Sequence, residues 1–223
     1  ENTLTYKNTF RRLHSVNLMV GFTVEKFTQH NFSLKGTGYL SDDIKWNNMT
    51  AIPDKNNLSP STSLNERTRN SVLGRFNYDF KKRYYFTFTA RVDGSSNFAA
   101  NNKYAFFPSG AFKWMISKEP FMKKAHWLDD LSLRLSAGVS GNDAISYYRS
   151  MEALTSSTSG YLFGYNQPLA VYPSRLESKD LTWEKTAMYN VGVDFAVLKK
   201  RLEFSLEAYY SKTTDLLLSV KLP

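Results

Sequence analysis

Cysteine is absent from this 223-residue chain. A disulfide framework, a thiolate metal site and a cysteine nucleophile are excluded with it. Histidine is scarce: His14, His30 and His126 have no ligand partner at i+4, and no HExxH occurs. These three are expected in turns or on the surface. Neither GxSxG nor a phosphate-binding glycine loop is present. The expectation is therefore no enzyme, with no catalytic, metal-binding or cofactor-binding residue and no cofactor. No run of 18 apolar residues occurs either, which removes a transmembrane helix. It does not remove a membrane, because a spanning β-strand needs only about 9–11 residues with every second one facing lipid. The start, Glu1-Asn2-Thr3-Leu4, is no signal peptide, and a mature or internal segment is expected.

Aromatics, by contrast, are abundant: 14 Tyr, 16 Phe and 4 Trp. The net charge is +9, which raises the question of a nucleic-acid partner. Its placement argues against one. Basic clusters stand at Arg11-Arg12, Lys81-Lys82-Arg83, Lys123-Lys124 and Lys199-Lys200-Arg201, each between two strand-like stretches. Nucleic-acid surfaces gather basic residues on one face among stacking aromatics. Solvated turn residues are the simpler reading, and no nucleic acid is expected.

The dominant pattern is alternation of period two, which marks strands with unlike faces. Tyr84, Phe86, Phe88, Ala90 and Val92 share one face, against Tyr85, Thr87, Thr89, Arg91 and Asp93 on the other. The same pattern runs through residues 15–24, 71–80, 131–139, 187–195 and 202–210. No long amphipathic helix is found; residues 118–122 suit one helical turn, with Pro120 tolerated early in it.

Connections alternate in length. Short ones are expected at 10–13, 81–83 and 198–201, a medium one at 117–130, and long loops at 30–65, 92–104 and 141–183, rich in Asn, Ser, Thr, Asp, Gly and Pro. Short turns at one end and long loops at the other describe a transmembrane barrel. The faces opposite the apolar ones carry Arg75, Arg91, Arg134, Asp79, Asp93, Glu203 and Glu207, which suits a wet lumen; Glu203 and Glu207 are expected to pair with the arginines rather than to act as a glycosidase couple. About eight or nine strands are expected, and the run from Leu216 to Pro223 reads as a strand cut short. A stand-alone small outer-membrane barrel (anchor or adhesin) and a soluble β-sandwich carbohydrate-binding module are the alternatives to a segment of a larger barrel.

Several segments carry a family likeness. They are Arg91-Val92-Asp93-Gly94-Ser95-Ser96-Asn97-Phe98 with Phe106-Phe107-Pro108-Ser109; Trp114-Met115-Ile116-Ser117-Lys118-Glu119-Pro120-Phe121-Met122; and Leu131-Ser132-Leu133-Arg134 leading to Gly138-Val139-Ser140-Gly141-Asn142. Leu181-Thr182-Trp183-Glu184-Lys185-Thr186 and Tyr209-Tyr210-Ser211-Lys212-Thr213-Thr214-Asp215 follow in order. Together they resemble the barrel signatures of the SusC/RagA-like TonB-dependent outer-membrane transporters of Bacteroidetes, over about residues 84–223. The resemblance implies an all-β fold, an antiparallel transmembrane β-barrel segment of a larger, 22-stranded barrel. Residues 1–223 would be a partial barrel domain, with the plug domain and TonB box outside them. It further implies a bacterial outer-membrane importer of oligosaccharides or peptides. The implied partners are outer-membrane lipid, a SusD-like surface lipoprotein, and the TonB complex acting through an N-terminal region.

Candidate contacts with substrate or partner are Arg91, Asp93, Ser95 and Asn97, and Tyr147, Tyr148, Tyr161 and Tyr165 in the longest loop. The polar groups at 93–96 either bind sugar hydroxyls or serve a turn in which Gly94 takes φ > 0. Loop aromatics stack on sugars, anchor a partner or pack on one another. Trp183 is expected at the membrane interface or stacked on sugar, and Pro120 and Phe121 are expected to pack the turn that holds them.

Overall fold

The computed structural model describes residues 1–41, 43, 45, 47–125, 127–158 and 169–218. Ten strands are present among them: β1 Asn2–Phe10, β2 His14–Gly36, β3 Leu58–Phe80, β4 Tyr84–Ser95, β5 Tyr104–Met115, β6 Leu128–Asn142, β7 Ala153–Thr158, β8 Leu169–Arg175, β9 Glu184–Val197 and β10 Leu202–Thr214. Eight form one sheet in the order β1-β2-β3-β4-β5-β6-β9-β10, and β7 pairs with β8 in a separate hairpin. The expected all-β antiparallel architecture is what is found. From β4 to β10 the strands of the main sheet run 12–15 residues, longer than the roughly 9–11 that a bilayer requires.

The register explains the alternation. Val72 lies opposite Val92, and Phe76 opposite Phe88. Val92 then meets Phe106, and Tyr84 meets Trp114. Leu133 faces Val193, which faces Leu206 on the other side. The apolar sets of successive strands therefore merge into one face, because antiparallel partners point the same way. That face is open: Phe88 is 53% exposed and Leu206 67%. The other face carries Asn77, Thr87, Arg134 and Asp194, all half-buried. A water-soluble sheet has the reverse arrangement, since contiguous exposed apolar area is strongly unfavourable in water. Hydrocarbon is the solvent that suits it.

The short connections come as expected. Arg11–Leu13, Lys81–Arg83 and Leu198–Arg201 are tight turns closed by Leu13 N–H to Phe10 O (3.0 Å), Arg83 N–H to Phe80 O (3.0 Å) and Arg201 N–H to Leu198 O (3.3 Å). Their central pairs, Arg11-Arg12, Lys81-Lys82 and Lys199-Lys200, all have φ between 48° and 60°. This is the primed turn geometry that matches strand twist, at a cost of about 1–2 kcal/mol per non-glycine residue. Between β5 and β6 lie two 3-10 turns, Ile116–Lys118 and Pro120–Lys124, where one helical turn is expected. Phe121 is 65% exposed and does not pack this turn.

Two compact units are distinguished: residues 1–25 with 69–223, and residues 26–68. Within the second, β2 runs on to Gly36 and β3 begins at Leu58, where sequence reading expects a loop from 30 to 65. The apolar residues here, Phe32 and Leu34 in one strand and Leu58 and Leu64 in the other, are sparse among polar neighbours and none is buried, so no continuous apolar face marks these portions. Lys26 pairs with Glu66 at 2.9 Å, Asn31 donates to Ser63, and Thr37 N–H meets Asn57 O. Asn48 and Asp54 cap the 3-10 turns Met49–Ala51 and Lys55–Asn57 by accepting from Thr50 and Asn56 N–H. The expected loop at 141–183 likewise contains a hairpin, β7–β8. Beyond β10, Asp215 takes φ 56° and Leu216–Leu218 leave the strand, so the strand expected from Leu216 is not continued there; its last five residues lie outside the described ones.

Candidate functional site

A side-chain core sits at the long-loop end of the main sheet. Phe98, Phe107 and Trp183 are buried together, with Ala105, Val139, Ile145, Leu181 and Leu217 packed around them. Trp183 meets Phe98 at 5.0 Å and Phe107 edge-on at 5.4 Å. Its indole N–H donates to Lys103 O at 2.9 Å. Trp183 is only 5% exposed, so neither the membrane-interface position nor sugar stacking holds for it. Burial of an aromatic with a satisfied N–H is an anchor for loops.

Beside this core lies a buried polar cluster. Asp143, 5% exposed, receives both Nε–H (2.8 Å) and Nη2–H of Arg69 and the Ser95 hydroxyl at 2.9 Å. Its carbonyl and that of Ile145 accept from the Asn97 amide at 3.3 and 3.4 Å. Ser95 and Asn97 are each 2% exposed. Their polar groups tie the turn after β4 to the loop after β6. A buried acceptor with two donors and a charge partner is well satisfied. Gly94 lies within β4 and does not have positive φ. It is glycine because a Cβ there would sit 2.2 Å from Asn70 Oδ1 and 2.5 Å from the Tyr104 ring.

A cavity of about 560 Å³ opens here, with Arg69, Arg91, Asp93, Ser109, Asn142 and Asp143 in its lining. Arg91 donates to both carboxylate oxygens of Asp93 at 2.6 and 2.8 Å, and to Ser71 at 3.0 Å. Of the residues singled out from the sequence, Arg91 and Asp93 thus share this cavity, with Ser95 and Asn97 buried near them. Tyr147 and Tyr148 stand apart on the loop after β6, ring centroids 6.3 Å from each other, with Tyr148 at φ 59°. Tyr161 and Tyr165 lie outside the described residues. Asp143 was not singled out from sequence; the one available signal is that it follows Gly138–Asn142 directly.

Further along the polar face, Arg134 forms a two-pronged pair with Asp194 (2.8 and 2.9 Å) and reaches Glu207 at 2.7 Å. Ser132 and Ser205 add hydroxyls to Asp194 at 3.0 and 2.8 Å. Gly192 lies opposite both Arg134 and Glu207 in the register. A Cβ there would meet the guanidinium at 3.1 Å, so its absence lets Arg134 cross β9. The expected ion pairing is found for Glu207. No group of three or more metal-ligating side chains occurs among the described residues, and His14 accepts or donates a 2.8 Å hydrogen bond with Tyr78.

Residues 2–223 match the family described as TonB dependent receptor-like, beta-barrel. The chain belongs to that family. It is 38% identical over its whole length to TonB-dependent receptor P3 of Formosa agariphila, covering 22% of that protein. With TonB-dependent receptor SusC of Bacteroides thetaiotaomicron it is 36% identical over 92% of its length, covering 20% of the relative. The solved RagAB peptide transporter superposes at TM-score 0.85 and 28% identity, over 99% of this chain and 24% of that one. The chain thus spans about a fifth of the curated relatives it matches. The expected SusC/RagA-like resemblance holds, and the sheet is a portion of a receptor barrel.

Within this receptor sheet the motifs that carry the likeness prove to be largely structural. Residues 91–98, 138–142 and 181–186 converge on the Trp183 core and the Asp143 cluster. Asn142 completes the junction by donating to Glu184 at 3.0 Å, while Glu184 accepts Leu217 N–H at 3.2 Å. At the opposite end, Glu119 accepts the Tyr84 hydroxyl (2.6 Å) and the Trp114 indole (3.1 Å) and pairs with Arg83 at 3.4 Å. The Tyr84 and Trp114 hydrogen bonds, then the Arg83 charge, hold its carboxyl below the usual carboxylate range.

Proposed function

We propose that this chain is a stretch of wall from a larger barrel that imports nutrients across the bacterial outer membrane. The whole protein would also carry a plug domain and a TonB box, draw energy through the TonB complex, and close against a SusD-like surface lipoprotein. The observation that carries this reading is the inverted sheet. An apolar face left open along the sheet, with Phe88 53% and Leu206 67% exposed, lies back to back with a polar face bearing the Arg134–Asp194–Glu207 network. Lipid covers the first and a water-filled lumen wets the second.

The substrate is an oligosaccharide or a peptide; the peptide class is supported by the likeness to the RagAB peptide transporter. Arg91 and Asp93 are the residues of this chain best placed to meet substrate, since they line an open polar cavity. Ser95 and Asn97 act behind them by fixing the turn. Tyr147 and Tyr148 are loop positions for contact with substrate or lipoprotein, a contact proposed also for Tyr161 and Tyr165, which lie outside the described residues. The role is conduction of substrate, not chemistry on it.

The test uses the whole receptor purified from membranes and assayed in cells. Extraction that depends on detergent, co-purification of a surface lipoprotein, and uptake that stops when the proton gradient is collapsed are the expected results. A receptor that is monodisperse in water without detergent would overturn the reading. Uptake indifferent to the gradient would remove the energy coupling.

A further inference from the structure

The short-turn end carries a feature that import does not require. Arg11-Arg12, Lys81-Lys82 and Lys199-Lys200 occupy the positions of primed turns at which Asn and Gly are the favoured residues. In three separate hairpins the same unfavourable backbone conformation falls on a pair of cations, joined in the third by Leu198 at φ 58°. Strained conformations of this kind collect where function needs them. All six side chains are exposed, and none belongs to an ion pair among the described residues. The nearby carboxylates are engaged with backbone instead: Asp79 accepts Lys82 N–H at 2.7 Å and Asp129 accepts Lys200 N–H at 2.9 Å. The turns are thus braced while their charges stay free of ion pairs, Lys81 resting its ammonium 5.0 Å from the Phe80 ring centroid.

The turns lie on one edge of the sheet. Lys81 N–H donates to Leu13 O at 2.7 Å, Met115 N–H to Arg83 O at 2.7 Å, and the Lys118 ammonium to Lys82 O at 3.1 Å. Immediately below runs a row of rings on the apolar face. His14 meets Phe80 at 4.9 Å, Phe80 meets Tyr84 at 6.2 Å, and Tyr84 meets Trp114 at 6.4 Å. Such rows settle at the boundary between hydrocarbon and headgroup. Lys81 and Lys82 follow Phe80 directly, and a strand rises about 3.4 Å per residue. The cations therefore follow the rings within one or two residues, with the Lys81 ammonium 5.0 Å from the Phe80 ring centroid, where the polar headgroup layer begins.

We propose that this edge is a binding belt for anionic glycerophospholipid headgroups of the periplasmic leaflet. It rests on the barrel-wall reading given above. Lys and Arg near an anionic bilayer surface are each attracted by its potential, and arginine adds two-pronged contact with phosphate. The belt would fix the depth of the barrel and hold anionic lipid around it.

The experiment places the whole receptor in nanodiscs and measures its selection of spin-labelled phosphatidylglycerol over spin-labelled phosphatidylcholine. The expected preference is about threefold or more at low salt, declining in high salt. The comparison variant replaces all three pairs with Asn-Gly (R11N/R12G, K81N/K82G and K199N/K200G). These residues suit the turns better, so misfolding does not account for a loss. The preference should disappear while thermal stability is kept or raised. No preference in the parent, or an equal one in the variant, overturns the proposal. So does displacement of the lipid by millimolar inorganic phosphate, which marks a small-anion site, or cross-linking of the turns to a periplasmic protein without lipid selection. A K82C receptor separates this from failure of the barrel reading. Labelling by an impermeant thiol reagent only after the outer membrane is permeabilised leaves that reading intact; labelling of intact cells overturns both.

Discussion

The two ends of the main sheet are held by opposite means. At the long-loop end side chains do the work, through the Phe98–Phe107–Trp183 core and the Asp143 cluster. At the short-turn end the backbone does most of it, through turns of two central residues and hydrogen bonds passed from one turn to the next, with Glu119 as a side-chain tie. The difference follows from chain entropy. A long connection loses much conformational freedom when ordered and needs burial to offset that loss. A tight turn has little freedom to lose, and a single well-placed acceptor such as Asp79 is enough.

The contrast is sharpest for Trp183. Trp183→Ala removes a buried aromatic and should cost about 3–5 kcal/mol, read as a lower unfolding temperature of the receptor in detergent. Proteolysis should open the loops after β4 and β6 first. Asp143→Ala comes next. It removes the two-pronged partner of Arg69, leaving Glu25 at 4.0 Å, and the acceptor of the buried Ser95 hydroxyl, at about 1–3 kcal/mol. Protection of residues 96–103 from hydrogen exchange should fall while the short-turn end is unchanged; equal loss at both ends would dissolve the comparison.

At the other end the expected effects are smaller. The Glu119 carboxyl is held below its ordinary range, so its contribution is present above the unfolded-state value near ~4.3 and is lost as pH falls through the lowered folded value. Glu119→Gln should therefore melt below the parent at neutral pH, with the gap closing in acid; a gap that widens in acid would refute the sign. Smallest of all, K81N/K82G should stabilise by roughly 1 kcal/mol by relieving positive φ, visible as a modest rise in unfolding temperature.

The strands of the main sheet were legible where one face meets an apolar medium and the other a polar one, as in residues 84–92 and 187–195. They were not legible in residues 30–36 and 58–65, where the apolar residues are sparse, none is buried, and polar ties such as Asn31 to Ser63 join the ladder hydrogen bonds. Turn positions were readable from paired basic residues between strands, but not the positive φ those residues adopt. The candidate site was half visible. Arg91 and Asp93 stood out as charges on a strand face. Asp143 did not, because a lone carboxylate in a loop looks the same in sequence whether it is solvated or sits under a guanidinium.

Period-two alternation, the lack of a long apolar run and the ordered barrel motifs determined by themselves the fold class, the two faces and the family. Those properties repeat along the chain and depend only on which way successive residues point. What only the tertiary structure decided is which polar residues are spent internally. Ser95, Asn97, Glu119 and Trp183 carry the same atoms whether they face solvent or core. The register that brings residue 95 beside residue 143, and residue 84 beside residue 119, is a long-range fact that no local pattern encodes.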